Sequence, residues 1–247
     1  MPDKSKICVI IPCYNNEKTI ADVVLSVAQY SENVIVVLDG CTDNSAANLQ
    51  KAADKATILS YSPNKGKGAA LNFAFDYAKK HNFDYAISID ADGQHFASDL
   101  PLFFEAIENN YGAMIVGSRF LKQENMPAGN TFANKFSNFW FAVQTGKRLP
   151  DTQTGYRAYP IFKMGRLRSF SKRYESELEY LQRMAWRNIK LVSVPIKVYY
   201  APEGERVTHF RKGRDFFRIS LLNTLMCFVA VLYGYPSMLL RKLFGKS

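Results

Sequence analysis

The chain has 247 residues, of which 47% are hydrophobic and 14% aromatic, so it can build one large folded domain with an ample core. That composition excludes an intrinsically disordered protein. Lys and Arg number 32 against 22 Asp and Glu, and the resulting net charge of +10 favours anionic partners such as phosphates, nucleic acid or a membrane surface. The charge alone does not choose among them.

The cysteines form no CxxC pair and no Cys/His group with zinc spacing, so the sequence predicts neither a disulfide framework nor a structural zinc site. They are Cys8, Cys13, Cys41 and Cys227. The apolar run from Ile7 to Ile11 is too short for the core of a secretory signal. We therefore interpret the cysteines as reduced thiols in a cytosolic compartment.

Short apolar runs alternate with helical patterns through the first half of the chain. The predicted strands are 7–11, 34–38, 56–61, 85–89 and 113–117. The predicted helices between them are 17–30, 44–53, 68–80 and 100–109. This alternation predicts an α/β fold with a parallel sheet covered by helices on both faces. Ligands of such sheets bind beyond the carboxyl ends of the strands.

The second half is less regular. Apolar spacing predicts helices near 130–146, 160–168 and 175–187, and an extended segment over 190–200. From Arg206 onward, eight Lys and Arg residues accompany a single acid, and residues 219–240 carry no charged side chain. Three interpretations of this tail stay open: an anchor in the membrane interface, a span or re-entrant hairpin, and a helix buried in the domain or in a dimer.

Polar segments follow three of the predicted strands. They are Pro12-Cys13-Tyr14-Asn15-Asn16-Glu17, Asp39-Gly40-Cys41-Thr42-Asp43 and Asp90-Ala91-Asp92-Gly93-Gln94-His95. Asp90 and Asp92 directly follow a strand that is apolar enough to be buried, and carboxylates at that spacing can converge on one hard divalent cation. The alternative is a solvated acidic turn that caps the next helix.

Together with Asn64-Lys65-Gly66-Lys67-Gly68, these segments resemble the motifs of family 2 glycosyltransferases of the GT-A fold, in order and spacing. The resemblance covers about residues 6–200 and is greatest to the dolichyl- or polyprenyl-phosphate mannosyl- and glucosyltransferase branch. The common second motif has Ser where this chain has Cys41. The resemblance implies a Rossmann-like, mostly parallel sheet over residues 1–213, with a nucleotide-binding half to about 120 and an acceptor half beyond it. A membrane-associating helical tail, 214–247, would follow.

The resemblance also implies residues that bind the nucleotide-sugar donor. Three of them would line the nucleotide pocket: Pro12, Tyr14 and Glu17. Asp39 would hydrogen-bond the base, and Lys67 would touch the donor from its loop at a helix N-terminus. The alternatives are a core aromatic for Tyr14, a first-turn helix charge for Glu17 and a solvated turn for the lysine.

A metal site is the next implication of the resemblance. Asp90 would face the ribose or the donor sugar, while Asp92 and Gln94 would hold Mg²⁺ or Mn²⁺ against the pyrophosphate. Such an ion neutralises the charge that develops on a departing nucleoside diphosphate.

Four arginines are candidate phosphate ligands, because guanidinium groups match phosphate oxygens. Arg119 follows the fifth strand, and Arg157 ends Asp151-Thr152-Gln153-Thr154-Gly155-Tyr156-Arg157, which resembles the D-x-x-[ST]-G-[FY]-R segment of the branch. A structural ion pair is the alternative for both. Arg206 and Arg211 lie in a basic loop that could close over the donor or rest on lipid headgroups.

The resemblance implies inverting transfer of a hexose, from a donor of the GDP-mannose or UDP-glucose type, to a polyprenyl phosphate. Such an acceptor needs no strong general base, whereas a hydroxyl does. Asp151 is the leading candidate for that base, and Glu177 and Glu179 are weaker ones. Residues 140–200 contain no Glu-Asp pair of the kind found in many relatives that act on sugar hydroxyls, which favours the lipid phosphate.

A lipid alcohol or glycan hydroxyl stays open as the acceptor. A remoter alternative is a non-catalytic basic module that binds nucleic acid or a membrane. Acidic residues along the sheet edge would repel phosphate without a metal, so we expect no nucleic-acid partner. We expect the enzyme at the cytoplasmic face of the cell membrane, whereas the sequence indicates no oligomeric state.

Overall fold

A computed structural model of the chain describes residues 3–119, 128–173, 175–200 and 212–244. Arg206 and Arg211, two of the predicted phosphate ligands, lie outside the described residues. Within those ranges, one mixed sheet carries the fold.

All five strands predicted in the first half are present, within two residues of their predicted ends. The strands are β1 (Ile7–Cys13), β2 (Val34–Asp39), β3 (Thr57–Tyr61), β4 (Tyr85–Ser88), β5 (Met114–Arg119), β6 (Arg157–Pro160) and β7 (Leu191–Ile196). They form one sheet in the order β3-β2-β1-β4-β6-β5-β7. Only β6 is antiparallel to its neighbours, so the prediction of a mostly parallel sheet is confirmed.

Strand β6 was not predicted. Its four residues, Arg-Ala-Tyr-Pro, contain no apolar run, and they are extended because they fill the space between β4 and β5. The sequence motif that ends at Arg157 therefore leads into the sheet.

Helices cover both faces of the sheet. They are α1 (Ile20–Ala28), α2 (Ser45–Leu49), α3 (Lys67–Lys80), α4 (Leu100–Asn109), α5 (Ala128–Thr145), α6 (Ile161–Met164), α7 (Glu175–Trp186), α8 (Lys212–Val229) and α9 (Tyr235–Phe244). The helix predicted over 160–168 stops early, because Gly165 turns the chain with a φ of +54°. The predicted helix over 44–53 continues from α2 as a 3₁₀ turn, Gln50–Lys55.

Successive residues of β1 enter different halves of the core, as the two-residue period of a strand requires. Val9 and Ile11 pack in the cluster that contains α1 and α4. Cys8 and Ile10 pack in the cluster that contains α3 and α7. Burial on both faces explains why this strand is apolar throughout its length.

The tail forms one helical path from α8 through a π-helical turn, Ala230–Gly234, into α9. The turn that ends at Gly234, two residues before Pro236, therefore changes the hydrogen-bonding pattern without ending the helix, as π turns do. By length and composition, Ser220–Phe244 could cross a bilayer. We call residues 212–244 the tail helix.

One face of the tail helix is buried against α5 and α7. Asn223, Met226, Ala230 and Gly234 are buried at helical spacing, and Trp186 of α7 packs among them. Hydrogen bonds hold this face, among them Gln144 Nε2 to Asn223 O (3.0 Å), Ser237 Oγ to Trp186 O (3.3 Å) and Asn188 Nδ2 to Met238 O (3.0 Å). The helix is therefore attached to the domain along its length.

Enlarging Gly234 tests this attachment, because a Cβ there would lie 2.6 Å from the Trp186 ring. We expect Gly234→Val to lower the free energy of unfolding by about 1–3 kcal/mol through overpacking. Urea denaturation measures the change. Val231→Ala, on the exposed side of the same turn, should change stability by about 0.5 kcal/mol or less. Equal stabilities of the two variants would contradict the packing of Gly234 on Trp186.

Candidate active site

A cleft of about 290 Å³ opens beyond the carboxyl ends of β1, β2 and β4. These strands are parallel neighbours, so the segments that follow them meet at one edge of the sheet. Six predicted site residues line the cleft: Pro12, Tyr14, Asp39, Lys67, Asp90 and Asp92. A larger cleft of about 360 Å³ lies between α1 and residues 93–98, but it contains neither Asp90 nor Asp92.

The buried Asp39 carboxylate organises one wall of this cleft. It accepts hydrogen bonds from Lys65 N (2.7 Å), Gly66 N (2.8 Å) and Asn64 Nδ2 (3.0 Å). These contacts attach the end of β2 to the loop before α3. The next residue, Gly40, has a φ of +62°, and a Cβ there would lie 2.3 Å from Asn64 N. Close packing of the two segments therefore requires glycine.

The glycines around Lys67 permit a close approach of the chain's own backbone. A Cβ on Gly66 would lie 2.3 Å from Lys172 O, and one on Gly68 would lie 2.3 Å from Ser171 O. Gly68 N donates to Lys172 O at 2.9 Å. This packing brings Arg173, which no motif indicated, to the cleft.

Lys67 joins two carboxylates in the interior of the site. Its Nζ pairs with Asp90 Oδ1 and lies 3.1 Å from Glu177 Oε1. Burial alone would lower the pKa of Lys67, but attraction to both carboxylates outweighs it and raises that pKa. Burial likewise opposes the charge on Asp90, yet Lys67 holds the pKa of Asp90 below its ordinary value. We call these three side chains the Lys67 cluster.

Gly155, the glycine of the segment that ends at Arg157, completes the Lys67 cluster. A Cβ on Gly155 would lie 2.7 Å from Asp90 Oδ2, 2.8 Å from Lys67 Nζ and 3.0 Å from Glu177 Oε1. The cluster therefore occupies the space that a side chain at position 155 would need.

His95 packs against the same carboxylate. Its Nδ1 lies 3.8 Å from Asp90 Oδ2, beyond hydrogen-bonding distance. Burial lowers the pKa of His95 to about 4, so the imidazole is neutral near pH 7.

Asp92 carries negative charge that Lys67 only partly compensates. Its Oδ1 accepts a hydrogen bond from Gln94 N at 2.9 Å. Burial, followed by repulsion from Asp90, raises the pKa of Asp92 to about 6. A divalent cation would relieve this repulsion, so the site fits Mg²⁺ or Mn²⁺, which prefer oxygen ligands. Among the described residues, no group of three or more His, Cys, Asp or Glu is placed to hold a metal ion.

Arg119 and Asp151 form a buried ion pair. Arg119 Nε donates to Asp151 Oδ2 at 2.6 Å, and Arg119 Nη2 donates to Asp151 Oδ1 at 2.9 Å. Burial raises the pKa of Asp151, but the Arg119 guanidinium outweighs it and the net shift is downward. A buried carboxylate with a lowered pKa is a poor proton acceptor, so we do not retain Asp151 as a general base.

Arg157 is fully buried, and its guanidinium bonds to the protein backbone. It donates to Thr154 O at 2.7 Å, to Thr152 O at 2.8 Å and to Glu177 O. These contacts join the segment before β6 to the first turn of α7, which carries Glu177. We therefore do not retain Arg157 as a substrate ligand.

Glu17 also has a local partner. Its Oε2 accepts from Asn44 N at 3.0 Å, and its own N–H donates to Asp43 Oδ2 at 3.1 Å. Glu17 thus joins the loops after β1 and β2 and does not line the cleft. Tyr14 does line it and is 39% exposed, so it is not a core aromatic residue.

Comparison with known proteins agrees with this geometry. The model of the family described as "Glycosyl transferase family 2" matches residues 8–172. The chain is 30% identical over 245 residues to the UDP-N-acetylglucosamine–dolichyl-phosphate N-acetylglucosaminyltransferase of Methanococcus voltae, covering 90% of this chain and 97% of that protein. It is 26% identical over 200 residues to the polyprenol monophosphomannose synthase of Mycolicibacterium smegmatis, covering 76% and 75% of the two chains.

A solved structure shows the same fold. Glucosyl-3-phosphoglycerate synthase from Mycobacterium tuberculosis, in complex with Mn²⁺, UDP-glucose and phosphoglyceric acid, matches with a TM-score of 0.66 at 19% identity. The match covers 90% of this chain and 79% of that one. The GT-A-like sheet that the motifs implied is thereby confirmed. Because the family model spans more than half of the sequence, this chain belongs to glycosyl transferase family 2 and is a glycosyltransferase.

Proposed function

We propose that this protein is an inverting, metal-dependent enzyme that moves a hexose-type sugar from a nucleotide-diphosphate sugar to a polyprenyl phosphate at a membrane surface. The observation that carries the proposal is the cleft at which Asp90, Asp92 and Lys67 meet beyond the strand ends. Such a position suits the diphosphate of a donor.

The residues at the cleft and next to it would bind different parts of the donor. Asp92 lines the cleft, and Gln94, which does not line it, follows two residues later; their side chains would hold the divalent metal, which neutralises charge on the departing diphosphate. Asp90, kept ionised by Lys67, is placed to accept hydrogen bonds from donor hydroxyls. Tyr14 and Pro12 supply the wall against which a nucleoside packs.

Two of the three candidate bases have partners that favour an acceptor that is already anionic. Asp151 is paired with Arg119, which lowers the pKa of Asp151, whereas burial outweighs the contact with Lys67 and raises the pKa of Glu177, so Glu177 is the candidate base for an alcohol acceptor. Glu179 accepts hydrogen bonds from Ser169 Oγ (2.8 Å) and Ser171 N (2.9 Å), and these and neighbouring bonds outweigh burial and lower its pKa. An alcohol acceptor would need one of these carboxylates to take a proton, whereas a phosphate would not.

The outer face of the tail helix supports a lipid acceptor. Large apolar side chains are exposed along it: Leu221, Leu225, Phe228, Leu232, Leu239 and Leu243. Phe139 and Val143 of α5 are exposed as well. Since the opposite face packs on α5 and α7, we place the tail helix in the plane of the membrane interface. The net charge of +10 would favour the anionic lipid surface.

A donor and acceptor panel tests the proposal. Purified protein with Mn²⁺ receives radiolabelled UDP-glucose, UDP-N-acetylglucosamine or GDP-mannose, each with polyprenyl phosphate or the matching polyprenol. We expect label in the organic phase with one donor class and only with the phosphate. Asp92→Asn should reduce transfer by about 100-fold or more, because the metal contributes several kcal/mol to the transition state.

Asp54 is exposed, so Asp54→Asn is a control that removes one negative charge far from the proposed metal site. This variant should transfer sugar at the wild-type rate. Transfer to polyprenol would contradict the phosphate acceptor. Full turnover by Asp92→Asn would exclude that carboxylate as a metal ligand.

Gly155→Ala tests the Lys67 cluster. The new methyl group would push Asp90 and Lys67 apart, so we expect initial rates to fall by about tenfold or more, an effect of about 1.4 kcal/mol on the barrier. Gln153→Ala, two residues earlier and exposed, should transfer sugar at the wild-type rate. Wild-type rates for both variants would mean that the cluster does not control Asp90.

Substitutions on the outer face of the tail helix test membrane binding. The double variant Phe228→Ser with Leu232→Ser removes two apolar side chains that are 64% and 80% exposed. Burial of each side chain away from water would contribute about 1.5–3 kcal/mol to the free energy of membrane binding. We expect co-sedimentation with anionic vesicles to weaken by about tenfold or more. Leu25→Ser with Leu102→Ser, exposed on α1 and α4, should leave it unchanged. Equal losses in both double variants would contradict a specific membrane face.

A further inference from the structure

Two cysteines lie side by side where the loops after β1 and β2 meet. Cys41 Sγ donates to the backbone oxygen of Cys13 at 3.4 Å. Cys13 is buried at the wall of the cleft, between Pro12 and Tyr14, whereas Cys41 is partly exposed to solvent. The proposed transfer reaction uses neither thiol.

The surrounding loops hold this thiol pair together. Thr42 N donates to Asn15 Oδ1 at 2.9 Å, and Asn16 N donates to Ser45 Oγ at 2.8 Å. These bonds flank the two cysteines and join the same pair of loops. These bonds therefore hold Cys13 and Cys41 next to each other.

The two thiols differ in reactivity. A hydrogen bond from Cys13 outweighs burial and lowers the pKa of Cys41 to about 7, so much of Cys41 is thiolate near neutral pH. The contact with Cys41, together with burial, raises the pKa of Cys13, so Cys13 stays a protonated thiol. Because the thiolate is the nucleophile, Cys41 is the more reactive partner.

We propose that Cys13 and Cys41 are a redox-active pair that a peroxide oxidises to a disulfide at the wall of the cleft. The Cys41 thiolate attacks a peroxide oxygen, the O–O bond breaks, and Cys41 becomes a sulfenic acid as water or an alcohol leaves. The Cys13 sulfur then attacks the Cys41 sulfur, the S–O bond breaks and water leaves. Two thiols are oxidised by two electrons, and the peroxide takes up both electrons and both protons.

The disulfide changes the cleft. A covalent bond draws the sulfur atoms closer than a hydrogen bond does, so Cys13 or the segment 40–43 must shift. Cys13 separates two residues of the cleft wall, and Cys41 follows Asp39 by two positions. We expect the shift to weaken nucleotide binding. This consequence rests on the proposed function, whereas formation of the disulfide does not.

Peptide mass spectrometry of the full chain after hydrogen peroxide treatment is the direct test. We expect a Cys13–Cys41 cross-link, lost on addition of dithiothreitol. Cys227→Ser should form the same cross-link, and Cys41→Ser should form none. Absence of the cross-link in the wild-type chain, or bonding of Cys41 to another cysteine, would overturn the proposal.

Titration with UDP and Mn²⁺ tests whether the disulfide weakens nucleotide binding. Oxidation should weaken UDP binding by about tenfold in the wild-type chain and in Cys227→Ser. Cys41→Ser should bind UDP equally before and after peroxide, because a hydroxyl can donate to Cys13 O and the common family motif has Ser there. A cross-linked chain that binds UDP as tightly as the reduced one would overturn the effect on the cleft. Failure of the reduced wild-type chain to bind any nucleotide would instead count against the proposed function.

Discussion

The site depends on one ammonium group that balances a buried carboxylate, Glu177, and a partly buried one, Asp90. Lys67 comes from the start of α3, Asp90 from the end of β4 and Glu177 from the first turn of α7, so their contacts hold three elements together. Removing one partner of a buried ion pair typically costs about 3–5 kcal/mol, because the other charge is left uncompensated. The position of Asp90, and hence of the neighbouring Asp92, therefore depends on contacts that span more than 80 residues of the chain.

Around this cluster, charged groups that resemble ligands also support the fold. Arg157 holds the segment before β6 against α7, Asp151 holds Arg119, and Asp39 holds the loop that carries Lys67. Each is buried and has its hydrogen bonds inside the protein, where unpaired charge would be expensive. In the cleft, the negative charge of Asp92 is only partly compensated. A cation would therefore stabilise the site most at this position. Rigid surroundings and an incompletely balanced acid are what a metal-assisted transfer needs.

The tail helix attaches the catalytic domain to its proposed surroundings. Its inner face packs on Trp186, and the outer face presents leucine and phenylalanine side chains to the exterior. Both faces are apolar, so hydropathy alone did not separate an interfacial anchor from a span or a core helix. Packing separates the two faces, because Gly234 and Ala230 are small enough to let the helix approach the indole.

By itself, the sequence determined the parallel core, the carboxyl-end loops and the family, because strand burial, turn glycines and the Asp90-Ala91-Asp92 spacing are local properties. Tertiary structure alone decided that Arg157 and Asp151 face protein groups, that Glu177 approaches Lys67, and that residues 157–160 form a strand. Those outcomes depend on distances between segments far apart in the chain. An arginine has the same local pattern whether its partner is a phosphate or a carbonyl oxygen, and only the packed fold supplies one or the other.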